Sequence, residues 1–150
     1  MARRHDSLVP LSHDHHHALA QARRLKEAAS MDDESNRRRA TDDFINFYLG
    51  SLLRHFREEE ELFFAPLVDH EAAHALVMQA LAEHLCVHAQ VRVLMRGLVD
   101  GEAEPTKLAE LSKLLTGHVR FEERDVLPLV EQLLSEDELR DLATSGRRDV

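Results

Sequence analysis

The sequence predicts an all-α fold: an antiparallel, up-down-up-down four-helix bundle with a short fifth helix at its C-terminal end. Three observations predict it. Only five glycines and four prolines punctuate the 150 residues, and the stretches between them are rich in the good helix formers Ala, Leu, Glu and Arg. Apolar residues recur at steps of three and four along four long stretches, as on a helix packed against neighbours, and no apolar–polar alternation reads as a strand. The connections are short, which makes consecutive helices antiparallel neighbours.

Each element follows from local signals. Residues 1–11 read as a lead-in, with Pro10 limiting helix before it. Ser12 is a candidate N-cap, with Asp14 in the first turn. The first helix runs to about Ser30, on an inner stripe of Leu8, Leu11, His15, Ala18, Ala22, Leu25 and Ala29. Residues 32–35 are a polar connection. The second helix runs from about Asn36 to Ala65, with the stripe Tyr48, Leu52, His55, Glu59, Leu62, Pro66, and Pro66 ends or kinks it. The third starts near Asp69, a candidate cap, and reaches about Val99 on Val77, Leu81, His84, His88, Val91, Met95 and Leu98. Residues 100–104 form a loop, and Pro105 suits a first helical turn. The fourth helix runs from about Thr106 with the stripe Leu111, Leu114, His118, Glu122, Asp125, Leu129, and Pro128 kinks it as Pro66 does the second. Ser135 to Glu138 is a capping-box pattern opening a short helix to about Thr144, and residues 146–150 read as a frayed tail.

Composition narrows the function classes. The length fits one domain, 1–150, with a core over about residues 8–132. Hydrophobic residues make up 43 % and charged residues 31 %, too polar for a membrane protein and too apolar for disorder. No run is long and apolar enough to span a bilayer. Met1-Ala2-Arg3-Arg4-His5 is followed by no apolar signal core, so a cytoplasmic protein is expected rather than an exported one. A single cysteine, Cys86, excludes an internal disulfide. A net charge of −9 argues against nucleic acid as a partner. Eleven histidines beside one Tyr and no Trp raise the prior for a metal centre, since histidine is the commonest metal ligand.

The motifs sharpen that prior. His55-Phe56-Arg57-Glu58-Glu59, running on to Pro66-Leu67, is echoed by His118-Val119-Arg120-Phe121-Glu122, running on to Pro128-Leu129. A four-residue step is about one helical turn, so His55 stacks over Glu59 and His118 over Glu122. His84 and His88 have the same spacing. Seven polar residues thus land in mid-seam on the four stripes: His15, His55, Glu59, His84, His88, His118 and Glu122. Burying such groups unpaired costs roughly 1–3 kcal/mol each. Together that rivals a whole domain's stability of roughly 5–15 kcal/mol, and bound metal would satisfy them directly. Five imidazoles and two carboxylates are too many for one tetrahedral zinc. They suit two ions, with each Glu bridging the pair. The donor set favours two iron ions, with zinc or manganese as substitutes. Phe56, Phe63, Phe64 and Phe121 could wall the site.

The neighbours read differently. His15 alone of its cluster lies on the seam, with His16 the alternative ligand and His13 and His17 solvated. Glu58, Glu60, Glu61 and Glu123 are exposed or accept from a ligand's other ring nitrogen. Glu71 and His74 have a Glu-x-x-His spacing, but no second pair is placed to match it. Tyr48 could line an access path, and Cys86 points away from the His84 face.

In their order, these motifs resemble the hemerythrin-like, or HHE cation-binding, family over roughly residues 8–132. The family pattern is one His on the first helix, then HxxxE, HxxxH, and a His followed by a carboxylate. It falls on His15, on His55 with Glu59, on His84 with His88, and on His118 with Glu122. The resemblance implies a non-haem di-iron centre, carboxylate- and oxo-bridged, with one open coordination position that takes dioxygen, nitric oxide, peroxide or a small anion. In the oxygen carriers the last carboxylate is an Asp five residues after its His. Here Glu122 stands at four and Glu123 at five, which resembles the bacterial HHE variants.

Three functional expectations follow. The first is a metal-binding protein that binds or senses a small ligand such as dioxygen, nitric oxide or peroxide, or that handles iron, with an unknown protein partner possible for a sensor. The second is an enzyme consuming peroxide or nitric oxide at the same centre. The third is a metal-free helical interaction module whose polar seam fixes register.

Overall fold

The computed structural model describes residues 3–148, with side chains through 145. The first two residues of the expected lead-in and the last two of the expected tail lie outside the described residues. The described residues are mostly helical, with no strand among them.

A 3₁₀ turn, Asp6–Leu8, capped by the His5 ring, leads into α1, Val9–Ser30. Pro10 stands in the first turn of α1, where its missing N–H costs nothing, so the helix begins before Ser12. The second rod starts with α2, Glu34–Phe47, whose N-cap Asp33 accepts from the Asn36 amide at 3.1 Å. It continues through a π-helical segment, Tyr48–Leu52, then α3, Leu53–Glu58, a second π segment, Glu59–Phe64, and a 3₁₀ turn, Ala65–Leu67. The next helix, α4, spans His74–Val99; turns occupy the residues before it, so Asp69 is not its cap. The chain then turns through Gly101, whose φ of +80° lies in the left-handed region that favours glycine. The last long rod joins α5, Pro105–Phe121, a third π segment, Glu122–Val126, and α6, Leu127–Leu133. The capping box then forms in both directions, Glu138 N–H to Ser135 Oγ and Ser135 N–H to Glu138 Oε1, each 3.1 Å. It opens α7, Glu136–Arg148, which runs beyond the expected end at Thr144.

Helix α1 packs against α5 and α2, and α4 packs against the same two. Two apolar clusters result. One gathers Leu25, Phe44, Phe56, Val91, Leu108 and Leu115 with their neighbours. The other gathers Leu8, Leu11, Phe63, Phe64, Val77 and Leu127 with theirs. In each long rod the buried histidine or glutamate falls between the two clusters: His15 follows Leu11, Glu59 precedes Phe63, His84 follows Val77, and Glu122 precedes Leu127. The polar residues therefore form a layer sealed by apolar packing above and below.

The π segments correct the expected seams. An i→i+5 turn inserts one extra residue into the helical repeat. After Glu59 the buried positions are Phe63, Phe64 and Leu67, not Leu62 and Pro66. After Glu122 they are Val126, Leu127 and Val130, not Asp125 and Leu129. The same one-residue slip thus occurs in both copies of the motif, and in both it begins at the glutamate.

Helix α4 slips too. It buries Val77, Ala80, His84, Val87, Val91 and Leu94. The expected stripe took Leu81, His88, Met95 and Leu98 in place of Ala80, Val87 and Leu94. Both patterns step by three and four and both pass through His84, so periodicity alone does not separate them.

Candidate metal centre

His15, His55, Glu59, His84, His118 and Glu122 are each no more than 4 % exposed, and both glutamates are fully buried. They form two groups, each with ligand atoms within 4.8 Å of one another. His15 and His55 make the first with Glu59 and Glu122; His84 and His118 make the second with the same two glutamates. The carboxylates split their oxygens between the groups. Glu59 Oε1 lies 3.3 Å from His15 Nε2 and 2.9 Å from His55 Nε2, while its Oε2 lies 3.3 Å from His84 Nε2. Glu122 Oε2 lies 3.0 Å from His15 Nε2, while its Oε1 lies 3.1 Å from His118 Nε2 and 3.5 Å from His84 Nε2. The ring pairs match as well: His15–His55 and His84–His118 both stand edge to face with centroids 4.8 Å apart.

All four rings point Nε2 inward because a carboxylate holds each Nδ1. Glu123 holds His15 at 2.7 Å, Asp14 holds His55 at 3.2 Å, Glu60 holds His84 at 2.8 Å and Glu83 holds His118 at 3.2 Å. The arrangement repeats across the two halves. Asp14 and Glu83 each precede a buried histidine and hold the ring of another; Glu60 and Glu123 each follow a buried glutamate. Sequence reasoning named Glu60 and Glu123 as possible acceptors but not Asp14 or Glu83. Their positions directly before His15 and His84 were the available signal.

Of the inward atoms only His15 Nε2 pairs, with Glu59 Oε1 at 3.3 Å and Glu122 Oε2 at 3.0 Å. His55 Nε2, His84 Nε2, His118 Nε2, Glu59 Oε2 and Glu122 Oε1 are buried without a hydrogen bond. His55 Nε2 and Glu59 Oε1 are close enough for one, yet their angles fail. A metal explains the spacing better. Adjacent ligands about an octahedral ion with bonds near 2.1 Å lie about 3 Å apart, which is the range seen here.

Electrostatics agree. Six carboxylates, Asp14, Glu59, Glu60, Glu83, Glu122 and Glu123, surround four imidazoles. Without an ion, three of the rings, His15, His55 and His84, hold protons more tightly than a free imidazole. Burial disfavours a charged His15, but Glu122, Glu123 and Glu59 outweigh it and hold its pKa at about 11. The same contest leaves His84 at about 10, through Glu122 and Glu59, and His55 at about 9, through Glu59 and Asp14. Burial would raise Glu59, but the charge on His55 and the close rings of His15 and His84 hold it well below the carboxylate range. Glu122 is lowered in the same way by His118, His15 and His84, against burial and the Glu59 charge.

The structure does not bring His88 into either group. It stands one residue past Val87 on α4 and so turns off the buried face. Its Nδ1 pairs with the Tyr48 hydroxyl at 2.7 Å. Phe56 lies between: it stacks on His84 at 3.8 Å and meets His88 edge-on at 5.7 Å. Exposed His16 is likewise outside both groups, so His15 is the member from α1. His74 is occupied by the Val68 carbonyl at 2.8 Å.

The hemerythrin HHE cation-binding domain model matches residues 8–130. The chain belongs to that family. No curated protein and no solved structure matches it. An HHE domain with this buried His/Glu cluster points to metal binding. Two surface features approach the cluster of this HHE domain from outside. A cavity of about 370 Å³ reaches Asp14 and His55, and a broader groove of about 560 Å³ reaches Glu83 and His118. No helix of the described residues is long and apolar enough to cross a membrane.

The carboxylates behind the rings give a first prediction. Glu123→Gln keeps the shape but weakens the hydrogen bond that fixes His15. Such changes typically cost about 10–100-fold in metal affinity. A competition titration with a chelator should show that loss with helicity unchanged. Affinity within about two-fold of the parent would assign Glu123 to surface chemistry alone.

Proposed function

We propose that this protein is a non-haem di-iron protein whose centre binds a small ligand such as dioxygen, nitric oxide or peroxide. The single observation that carries the reading is the division of the two glutamates' oxygens between two histidine pairs. In the proposal His15 and His55 hold one ion and His84 and His118 the other, with Glu59 and Glu122 bridging. Each ion then has four donors from the chain. Imidazole and carboxylate together suit iron, with manganese or zinc accepted as substitutes. A six-coordinate ion keeps room for an outside ligand, and such a pair, when bound, supplies Lewis acidity and redox capacity. His88, in the expected ligand set, is left out of the four-plus-two arrangement; with Tyr48 it stands beside the Phe56 wall. The chain's own residues orient the rings and seal the layer from water. The rods are proposed to form the antiparallel four-helix bundle in one domain over 1–150.

Metal analysis with an optical spectrum in air tests the reading. Anaerobic iron loading should give about two ions per chain, and exposure to air a near-ultraviolet band absent from zinc-loaded protein. Fewer than about one ion per chain would leave the helical-module reading in its place.

A further inference from the structure

We propose that Arg4 is a positioning residue for the metal centre: it fixes Glu123, and through Glu123 the ring of His15. The inference rests on the metal reading above and adds to it a residue outside the span, 8–130, that the family model matches.

Glu123 stands between the two. Its Oε1 lies 2.7 Å from His15 Nδ1, and its Oε2 accepts from Arg4 Nη2 at 2.8 Å. Both carboxylate oxygens are thus engaged, so the guanidinium behind the carboxylate sets the plane that faces the ring. The same Nη2 donates to the Glu123 carbonyl at 2.9 Å, in the π segment that opens on Glu122. One donor group therefore holds the backbone and the side chain of the residue beside a proposed bridging carboxylate. The other arm of Arg4, Nη1, donates to Glu131 Oε1 at 3.2 Å, and the His5 amide donates to the same oxygen at 2.9 Å. His5 in turn meets Glu136, at the start of α7, through Nε2 at 2.9 Å. The lead-in is tied to three elements, so the arginine is itself held in place. The side chains of Arg4 and Glu123 are only 21 % and 32 % exposed. A pair this far out of water keeps its geometry where a surface pair is mobile and screened.

The two halves of the centre differ at this point. Asp14-His15 on α1 is repeated as Glu83-His84 on α4, and Glu59-Glu60 as Glu122-Glu123. Arg4 stands eleven residues before His15; the residue eleven before His84 is Ala73, buried and with no side-chain donor to offer Glu60. The clamp on Glu123 therefore has no counterpart at that place in the other half. His15 shares its proposed ion with His55, so loss of Arg4 falls on that position first and makes the two ions unequal.

Anaerobic iron(II) titration of the full chain against a chelator tests this. Arg4→Met should weaken one of the two ions by about ten-fold, the low end of what losing a ligand's partner costs, with helicity unchanged. Arg4→Lys keeps the charge but not the fork and should recover part of that loss. In a Glu123→Gln background Arg4→Met should cost no more than about two-fold, because the path to His15 is already cut. Glu131→Gln disturbs the arm of Arg4 that meets no ring partner and should stay within about two-fold of the parent. Proton NMR of the zinc-loaded chain gives a second readout. Arg4→Met should move the resonance of the proton between His15 Nδ1 and Glu123 and leave those of His55, His84 and His118 in place. Parental affinity in Arg4→Met overturns the proposal. So do equal losses in the parent and Glu123→Gln backgrounds, or a Glu131→Gln loss that matches Arg4→Met, which would make Arg4 a tether of the lead-in alone. A parent chain that takes up less than about one ion overturns the metal reading itself, whereas two ions unmoved by Arg4→Met sink only this inference.

Discussion

Glu59→Gln is expected to remove both metal ions, not one. Glu59 is the fully buried carboxylate that faces His15 and His55 with Oε1 and His84 with Oε2. The amide keeps the shape and one neutral oxygen, but puts an NH₂ where the second group needs an acceptor. One proposed ion then loses a quarter of its donors, and both lose half their bridging charge. Metal content after iron loading should fall from about two per chain to well under one. The comparison that matters is Glu60→Gln. Glu60 meets the cluster through the Nδ1 of His84, so its loss should lower affinity about 10–100-fold and leave the stoichiometry recoverable at high iron. Equal losses in both variants would mean that Glu59 acts only by orienting rings. The ion-free Glu59→Gln protein should also be less stable by roughly 3–5 kcal/mol, because buried imidazolium rings lose a counter-charge. Urea unfolding in chelator measures that.

Much of this centre was legible before any coordinates, and the reason is physical. His55 and Glu59, or His118 and Glu122, are a turn apart, and a charged pair inside an apolar stripe cannot be solvated where it stands. Six of the seven residues named on that ground lie in the two groups. The seventh, His88, exposes the limit. Two stripes can be drawn through His84 with equal periodicity, and only packing against the neighbouring helices selects Val87 over His88. The π segments mark a second limit. A one-residue insertion at Glu59 and at Glu122 leaves the four-residue motifs intact and shifts everything after them. No propensity signals it, since the residues involved are ordinary helix formers. Asp14 and Glu83 were hidden for a third reason. Each holds a histidine distant in sequence, His55 or His118, and a place beside His15 or His84 does not show which ring the carboxylate will meet.

The ion-free and ion-loaded proteins should respond to pH with opposite slopes. In the ion-free chain His15, His55 and His84 have pKa values raised to about 11, 9 and 10 from 6.5. A raised histidine contributes stability that is fully present below pH 6.5 and is lost as pH climbs through the folded value. Glu59 and Glu122 are lowered from 4.5, so their contribution is present above that pH and lost as it falls through the folded values. The ion-free protein is therefore most stable between about pH 4.5 and 6.5 and weakens toward pH 9. Metal ligands must shed their protons, so binding strengthens as pH rises and loading releases protons. The loaded protein should gain on the ion-free form over the very interval in which the latter declines. Melting temperatures with iron and with chelator, taken at pH 6.5 and near pH 9, measure the divergence. Proton uptake on loading, or an ion-free form that grows more stable over that interval, would show that the inner carboxylates do not hold protonated rings, and the pairing drawn between them would be wrong.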